Sequence, residues 1–70
     1  MMIVKSQDGK EYDIYTIATK DKCVYCQDNS DRRMKRLLGV YSSIAKATEV
    51  FDAIRKCVVG YYEMPQDSEV

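Results

Sequence analysis

The residue pattern with the clearest chemical meaning is Cys23-Val24-Tyr25-Cys26. A Cys-x-x-Cys pair can chelate zinc or act as a redox dithiol when a turn brings its two sulfurs together. The chain has no histidine and one further cysteine, Cys57, so only Cys57 or a carboxylate could complete a zinc site. Residues three apart on a strand point to opposite faces. We therefore expect packing thiols at Cys23, Cys26 and Cys57, with an intermolecular metal or disulfide link, or redox activity, as alternatives.

A second pattern is the basic run Arg32-Arg33-Met34-Lys35-Arg36. Basic side chains beside aromatic ones suit the phosphates of a nucleic acid or of a small molecule. On an edge strand, however, the same residues protect against aggregation through strand pairing. We expect this protective role for Arg32, Arg33, Lys35 and Arg36, with a phosphorylated ligand or an acidic protein partner as alternatives.

The aromatic residues are six tyrosines and one phenylalanine, without tryptophan. Tyrosine combines an apolar ring with a polar tip, which suits half-buried surfaces and interfaces. Tyr61-Tyr62 on a short strand must place one ring on each face. The set predicts core and interface positions rather than a ligand pocket.

Catalytic motifs are missing from the sequence. Histidine is absent, no serine lies in a Gly-x-Ser-x-Gly context, and the three glycines form no phosphate-binding loop. We expect neither enzymatic activity nor a cofactor.

Length and charge limit the number of domains and the kinds of partner that this chain can have. Seventy residues form one domain with a marginal core. Eleven basic and eleven acidic residues cancel, which disfavours nucleic acid as a partner and permits self-association. No signal-like or membrane-spanning apolar run occurs, and an odd number of cysteines without a secretion signal favours reduced thiols. We expect a cytoplasmic protein that does not enter a membrane.

The alternation of apolar and polar residues predicts an α+β fold. It is a small antiparallel sheet (β-β-β-β-α-β) with one amphipathic helix packed on one face. The predicted strands cover residues 3–4, 11–19, 22–27, 32–41 and 61–64, and the helix covers 44–58. Ser42 or Ser43 caps the helix, and Gly60 ends it. Residues 1–66 form a single domain, and residues 67–70 form a flexible acidic tail.

The second strand carries apolar residues of both parities. Tyr12 and Ile14 point to one face, whereas Tyr15 and Ile17 point to the other. One helix covers only one face, so either a bulge shifts the alternation or another molecule covers the second face. We favour the second explanation. The predicted interface residues are Tyr12, Tyr15, Ile17, Tyr25, Arg32, Arg33, Lys35, Arg36, Tyr61 and Tyr62.

Three short segments carry a resemblance to a family. They are Ile3-Val4-Lys5-Ser6-Gln7-Asp8, Leu38-Gly39-Val40-Tyr41-Ser42, and Tyr61-Tyr62-Glu63-Met64-Pro65. Together they resemble a group of small uncharacterised proteins of Gram-positive bacteria, their phages and prophages. In that group an Ile-Val-Ser-Gln-Asp-like start precedes a Leu-Gly-x-Tyr strand and a Tyr-Tyr-Met-Pro-like end. This chain departs from the pattern at Lys5 and Glu63.

The resemblance implies a setting rather than a chemistry: a phage or prophage accessory protein acting in the bacterial cytoplasm. We expect a non-enzymatic protein that binds itself and a host or phage protein, including as a possible inhibitor of host defence. An oligomer that sequesters a small phosphorylated molecule or nucleotide is one alternative. A zinc-stabilised interaction module is the other.

Overall fold

The computed structural model describes residues 2–70. These residues form five strands, one α-helix and a 3-10 turn. They are β1 (Met2–Lys5), β2 (Glu11–Lys20), β3 (Cys23–Asp28), β4 (Asp31–Val40), α1 (Ile44–Lys56), β5 (Tyr61–Glu63) and the turn Asp67–Glu69. The predicted α+β class, its element order and its single helix are confirmed.

The strands form one sheet in the order β4-β3-β2-β1-β5. The first four are antiparallel neighbours, whereas β5 runs parallel to β1, with Ile3 opposite Tyr61 and Lys5 opposite Glu63. The sheet is therefore mixed, not wholly antiparallel as expected. Three antiparallel pairings make β4 run opposite to β1, and β5 runs opposite to β4, so β5 lies parallel to β1 at the other edge of the sheet.

A β-bulge at Tyr15 sets which side chains of β2 face the helix. Ile14 lies opposite Asp28 and Thr16 lies opposite Gln27, so Tyr15 is an extra residue in the ladder. The extra residue reverses the alternation, and Ile17 packs against the core as Tyr12 and Ile14 do. The bulge is thus the correct explanation for the two-faced pattern, and the placement of Ile17 on the second face was wrong.

The helix begins where Ser43 caps it, its hydroxyl oxygen accepting the amide hydrogen of Lys46 at 3.2 Å. It ends at Lys56, two residues earlier than predicted, because Cys57 takes an extended conformation (φ −71°, ψ 126°). Val58 is consequently 93% exposed and does not belong to the apolar face of α1. Gly60 has the positive φ that glycine allows (82°), but it leads into β5 rather than ending the helix.

The core lies between α1 and one face of the sheet. Its buried members come from every strand except β2 and β5, from α1, and from the segments beside them: Val4, Val24, Cys26, Leu38, Tyr41, Ala47, Val50, Ile54 and Met64. Tyr41 reaches across this core and donates its hydroxyl hydrogen to the carbonyl of Pro65 at 2.9 Å. Burial raises the pKa of Tyr41 to about 12.

Gln7 joins distant parts of the chain. Its backbone amide donates to the carbonyl of Leu38 (2.9 Å), and its side-chain oxygen accepts the amide hydrogen of Val40 (2.8 Å). Its side-chain nitrogen donates to the carbonyl of Pro65 (3.1 Å). The sheet therefore curls until the turn after β1 meets the end of β4.

Residues 67–70, expected to be a flexible tail, form an attached 3-10 turn. The carboxylate of Asp67 accepts the amide hydrogen of Ser42 at 2.7 Å and lies 3.7 Å from the ammonium of Lys46. Val70 packs against the core. No helix within residues 2–70 is long and apolar enough to cross a membrane.

Candidate functional site on the outer face of the sheet

We call the side of β2, β3 and β4 that faces away from α1 the outer face. The strand register aligns its side chains in three rows across the three strands. The rows are Thr16–Gln27–Lys35, Ala18–Tyr25–Leu37 and Lys20–Cys23–Val40.

The centre of the outer face is apolar. Leu37 is 48% exposed and Val40 is 49% exposed, beside the half-buried ring of Tyr25. A second bulge explains why these residues point outward: Tyr25 lies opposite Leu37 and Val24 opposite Gly39, so Leu38 is the extra residue and turns into the core. The result is an aliphatic and aromatic surface that no part of residues 2–70 covers.

Two lysines lie at opposite corners of this surface. Lys20 and Lys35 both line an open cavity of about 330 Å³, whose lining also includes Tyr25 and Thr16. The hydroxyl of Thr16 and the side-chain oxygen of Gln27 lie 2.7 Å apart at the edge of the same cavity. The outer face therefore combines an apolar centre with a lysine at each of two opposite corners.

Tyr25 and Cys23 lie next to each other in this surface. The contact of the Tyr25 hydroxyl with the Cys23 thiol raises the pKa of Tyr25. The Tyr25 hydroxyl therefore stays protonated at neutral pH and is an uncharged hydrogen-bonding group on the outer face.

The basic run does not form one cluster in space. Lys35 lies on the outer face, whereas Arg33 extends into solvent and makes only a surface ion pair with Asp31 at 3.8 Å. The guanidinium of Arg32 stacks over the ring of Tyr15, 4.0 Å from its centroid. Residues 32–34 have no partner on β3, so their side chains diverge.

Arg36 occupies the opposite side of β4. It lies across from Cys26, on the face that α1 covers, and its buried Nε has no hydrogen-bond partner among residues 2–70. Its charge lowers the pKa of Asp28, although the hydrogen bond from Ser30 contributes most to that lowering. Arg36 is therefore part of the structural interior and not of the outer face.

The remaining predicted interface residues also lie in different parts of the molecule. Tyr12 and Tyr62 are half-buried and pack against the core, and neither lies on the outer face. Tyr61 is exposed on β5, where its hydroxyl lies 3.3 Å from the carboxylate of Glu11. Tyr15 is exposed at the bulge beneath Arg32. Of the ten predicted residues, Tyr25 and Lys35 lie together on the outer face, and Tyr15 and Arg32 contact each other at the bulge.

The cysteines of the Cys-x-x-Cys motif lie within β3 and face opposite sides of the sheet. Cys26 is 2% exposed, and burial raises the pKa of its thiol to about 11. Cys57 lies at the far end of α1, where its thiol contacts the carbonyl of Tyr61 at 3.4 Å. The three sulfurs of one chain therefore do not converge, and no group of three potential metal ligands occurs within residues 2–70.

Sequence reasoning missed most of the outer face, including Ala18, Lys20, Leu37 and Val40. One signal was available: Leu37-Leu38-Gly39-Val40 is apolar at consecutive positions, which a strand with one covered face does not need. That run predicts either a bulge or a second apolar face, and the structure contains both.

Comparison of the chain with protein-family models, with curated proteins and with solved structures finds no match.

Proposed function

We propose that this protein is a non-enzymatic binding protein that engages another protein through its outer face. The observation that carries the proposal is the uncovered apolar centre formed by Tyr25, Leu37 and Val40. The free energy gained on burying an aliphatic side chain fully is roughly 1.5–3 kcal/mol. Covering the exposed half of Leu37 and Val40 would then contribute roughly 1 kcal/mol for each.

The two lysines of the outer face indicate which charges the partner carries. Lys20 and Lys35 border the apolar centre at opposite corners, and neither forms an ion pair within residues 2–70. A complementary surface would present apolar side chains flanked by carboxylates. Such rim charges contribute mostly to the rate and selectivity of association rather than to affinity.

The family resemblance supplies the proposed setting. It supports a phage or prophage accessory protein whose partner is a host or phage protein in the bacterial cytoplasm. A component of a host defence system is a candidate partner, and the protein would act as a homo-oligomer.

A second candidate function is the sequestering of a small phosphorylated molecule. The cavity beside Lys20 and Lys35 has a volume of about 330 Å³, and small-molecule sites occupy about 300–1,000 Å³. Of the basic run, Lys35 lines this cavity, and Lys20 of β2 supplies a second cation for the phosphate.

The test is affinity capture from a Gram-positive bacterial lysate, followed by titration calorimetry with the purified captured protein. The double variant Leu37→Ser/Val40→Ser removes the apolar centre and should abolish capture and measurable binding. The matched control is Arg33→Glu, which changes an exposed charge outside the outer face and should bind as the wild type does.

Two results would count against protein binding at this face. One is a partner that binds the Leu37→Ser/Val40→Ser variant with unchanged affinity. The other is a native mass spectrum in which the purified protein retains a small molecule that Lys35→Glu releases; this result would favour the second candidate function.

A further inference from the structure

The segment after α1 exposes two adjacent valines. Val58 is 93% exposed and Val59 is 79% exposed. Cys57 already has an extended backbone, and β-branched residues favour that conformation over a helix. The chain therefore presents a short apolar tip between the end of α1 and the start of β5.

A small pocket of mixed polarity lies elsewhere on α1. It has a volume of about 150 Å³, with Val50, Ala53 and Tyr62 in its lining and Glu49 and Glu69 beside them. The pocket opens broadly to solvent, so a side chain of another molecule can enter it.

The tip and the pocket belong to one continuous surface. Residues three or four apart on a helix lie on the same side, which aligns Glu49, Ala53 and Lys56 within α1. With a rise of about 1.5 Å per residue, Lys56 at the end of α1 lies roughly 4.5 Å along the axis from Ala53, and the tip begins two residues later.

The two features also carry opposite charges. Arg55 and Lys56 directly precede the tip, whereas Glu49 and Glu69 flank the pocket. Within residues 2–70, Lys56 and Glu49 form no ion pair. Arg55 is already paired with Asp52, which leaves Lys56 as the cation beside the tip. A surface with an apolar tip and a cation at one end, and a partly apolar pocket and anions at the other, is complementary to a copy of itself turned by 180°.

We propose that two copies of this chain associate about a twofold axis, with Val58 and Val59 of each copy in the Glu49–Glu69 pocket of the other. Lys56 of each copy then faces Glu49 of its partner. This inference deepens the homo-oligomer that is part of the proposed function and identifies its interface. The outer face stays free for a different protein.

The test is sedimentation equilibrium of the full chain over a wide concentration range. The wild type should dimerise. Val58→Ser/Val59→Ser should raise the dimer dissociation constant at least about tenfold, because it removes the apolar contact on both sides of the axis. The variants Lys56→Glu and Glu49→Lys should each weaken the dimer, and the double variant should restore it, since the cycle isolates the pairwise contact.

The control is Leu37→Ser/Val40→Ser, which should leave the dimer unchanged while it abolishes capture of the partner protein. Circular dichroism melting establishes that each variant is folded. A monomeric wild type at every concentration would overturn the proposed interface. So would a dimer that survives Val58→Ser/Val59→Ser, or a charge-reversed double variant as weak as the single ones.

Discussion

The three thiols differ in what their surroundings allow them to do. Cys26 is almost wholly buried, whereas Cys23 and Cys57 are partly accessible. The thiolate is the nucleophile that attacks an alkylating reagent, so a buried thiol with a raised pKa reacts slowly.

We predict that iodoacetamide modifies Cys23 and Cys57 of the native protein at pH 8 and leaves Cys26 unmodified until denaturant is added. Peptide mass spectrometry of timed samples measures this order. Equal rates at Cys23 and Cys26 would show that the two thiols share one environment, as a chelating or redox pair would.

The basic run shows why residue-level patterns of function are hard to predict from sequence alone. Four basic residues within five positions suggest one charged patch. In a strand they alternate between faces, and an irregular stretch at 32–34 scatters them further. Lys35 therefore meets Lys20, fifteen positions earlier, rather than its neighbour Arg36.

At the level of the elements, β2 depends on its bulge. Because Tyr15 is the extra residue, Ile17 packs on the core and Tyr15 stays exposed beneath Arg32. We predict that Ile17→Asp lowers the free energy of unfolding by at least about 2 kcal/mol, because it places an unpaired charge against the core.

Tyr15→Asp is the matched variant and should cost less than about 1 kcal/mol, since it removes only an exposed cation–π contact. Urea denaturation measures both values. Equal losses for the two variants would mean that Tyr15 and Ile17 share a face, which strict alternation without a bulge would produce.

The start of α1 depends on one of two adjacent serines. The Ser43 side chain caps the helix, whereas Ser42 contributes its backbone amide to Asp67. Ser43→Ala should destabilise the protein by about 1 kcal/mol, which lowers the Tm by roughly 4–8 °C in a chain of this size.

Ser42→Ala keeps that backbone amide and should change the Tm little. Thermal unfolding followed by circular dichroism compares the two variants. A larger fall in Tm for Ser42→Ala than for Ser43→Ala would show that Ser42, and not Ser43, caps the helix.

The elements themselves could largely be predicted from sequence, because strand alternation, Asp-Gly turns and helix capping are local signals. What could not be predicted depends on contacts between distant elements. The parallel partner of β5 is chosen by where α1 returns the chain, and the register of β2 is set by its bulge against β3. The outer face could not be predicted for the same reason, because the strand registers decide which side chains lie on it.

The whole molecule should respond to pH mainly in acid and in strong alkali. Hydrogen bonds from Ser30 lower the pKa of Asp28, and a hydrogen bond from the backbone of Ser42 lowers that of Asp67. Groups with a lowered folded pKa stabilise the fold above about pH 4, and that stability is lost as the pH falls further. Burial raises the pKa of Cys26 and of Tyr41, so their contribution is lost as the pH rises well above 9.

Without histidine, the chain has no side chain with an ordinary pKa between pH 5 and 8. We therefore predict a constant Tm across that range and a lower Tm at pH 3, as measured by circular dichroism. Asp28→Asn/Asp67→Asn should weaken the acid dependence. A wild-type Tm at pH 3 equal to that at pH 7 would contradict the prediction.

The contacts of Gln7 have a consequence for how the chain is made. Its partners lie more than 30 residues later in β4 and almost 60 residues later at Pro65, while Gln66 donates a hydrogen bond back to the carbonyl of Gln7. During translation β1 emerges first, yet its parallel neighbour β5 is synthesised only after α1. Until residues 61–66 have left the ribosome, one edge of β1 lacks its partner, so the five-stranded sheet cannot be completed before that point.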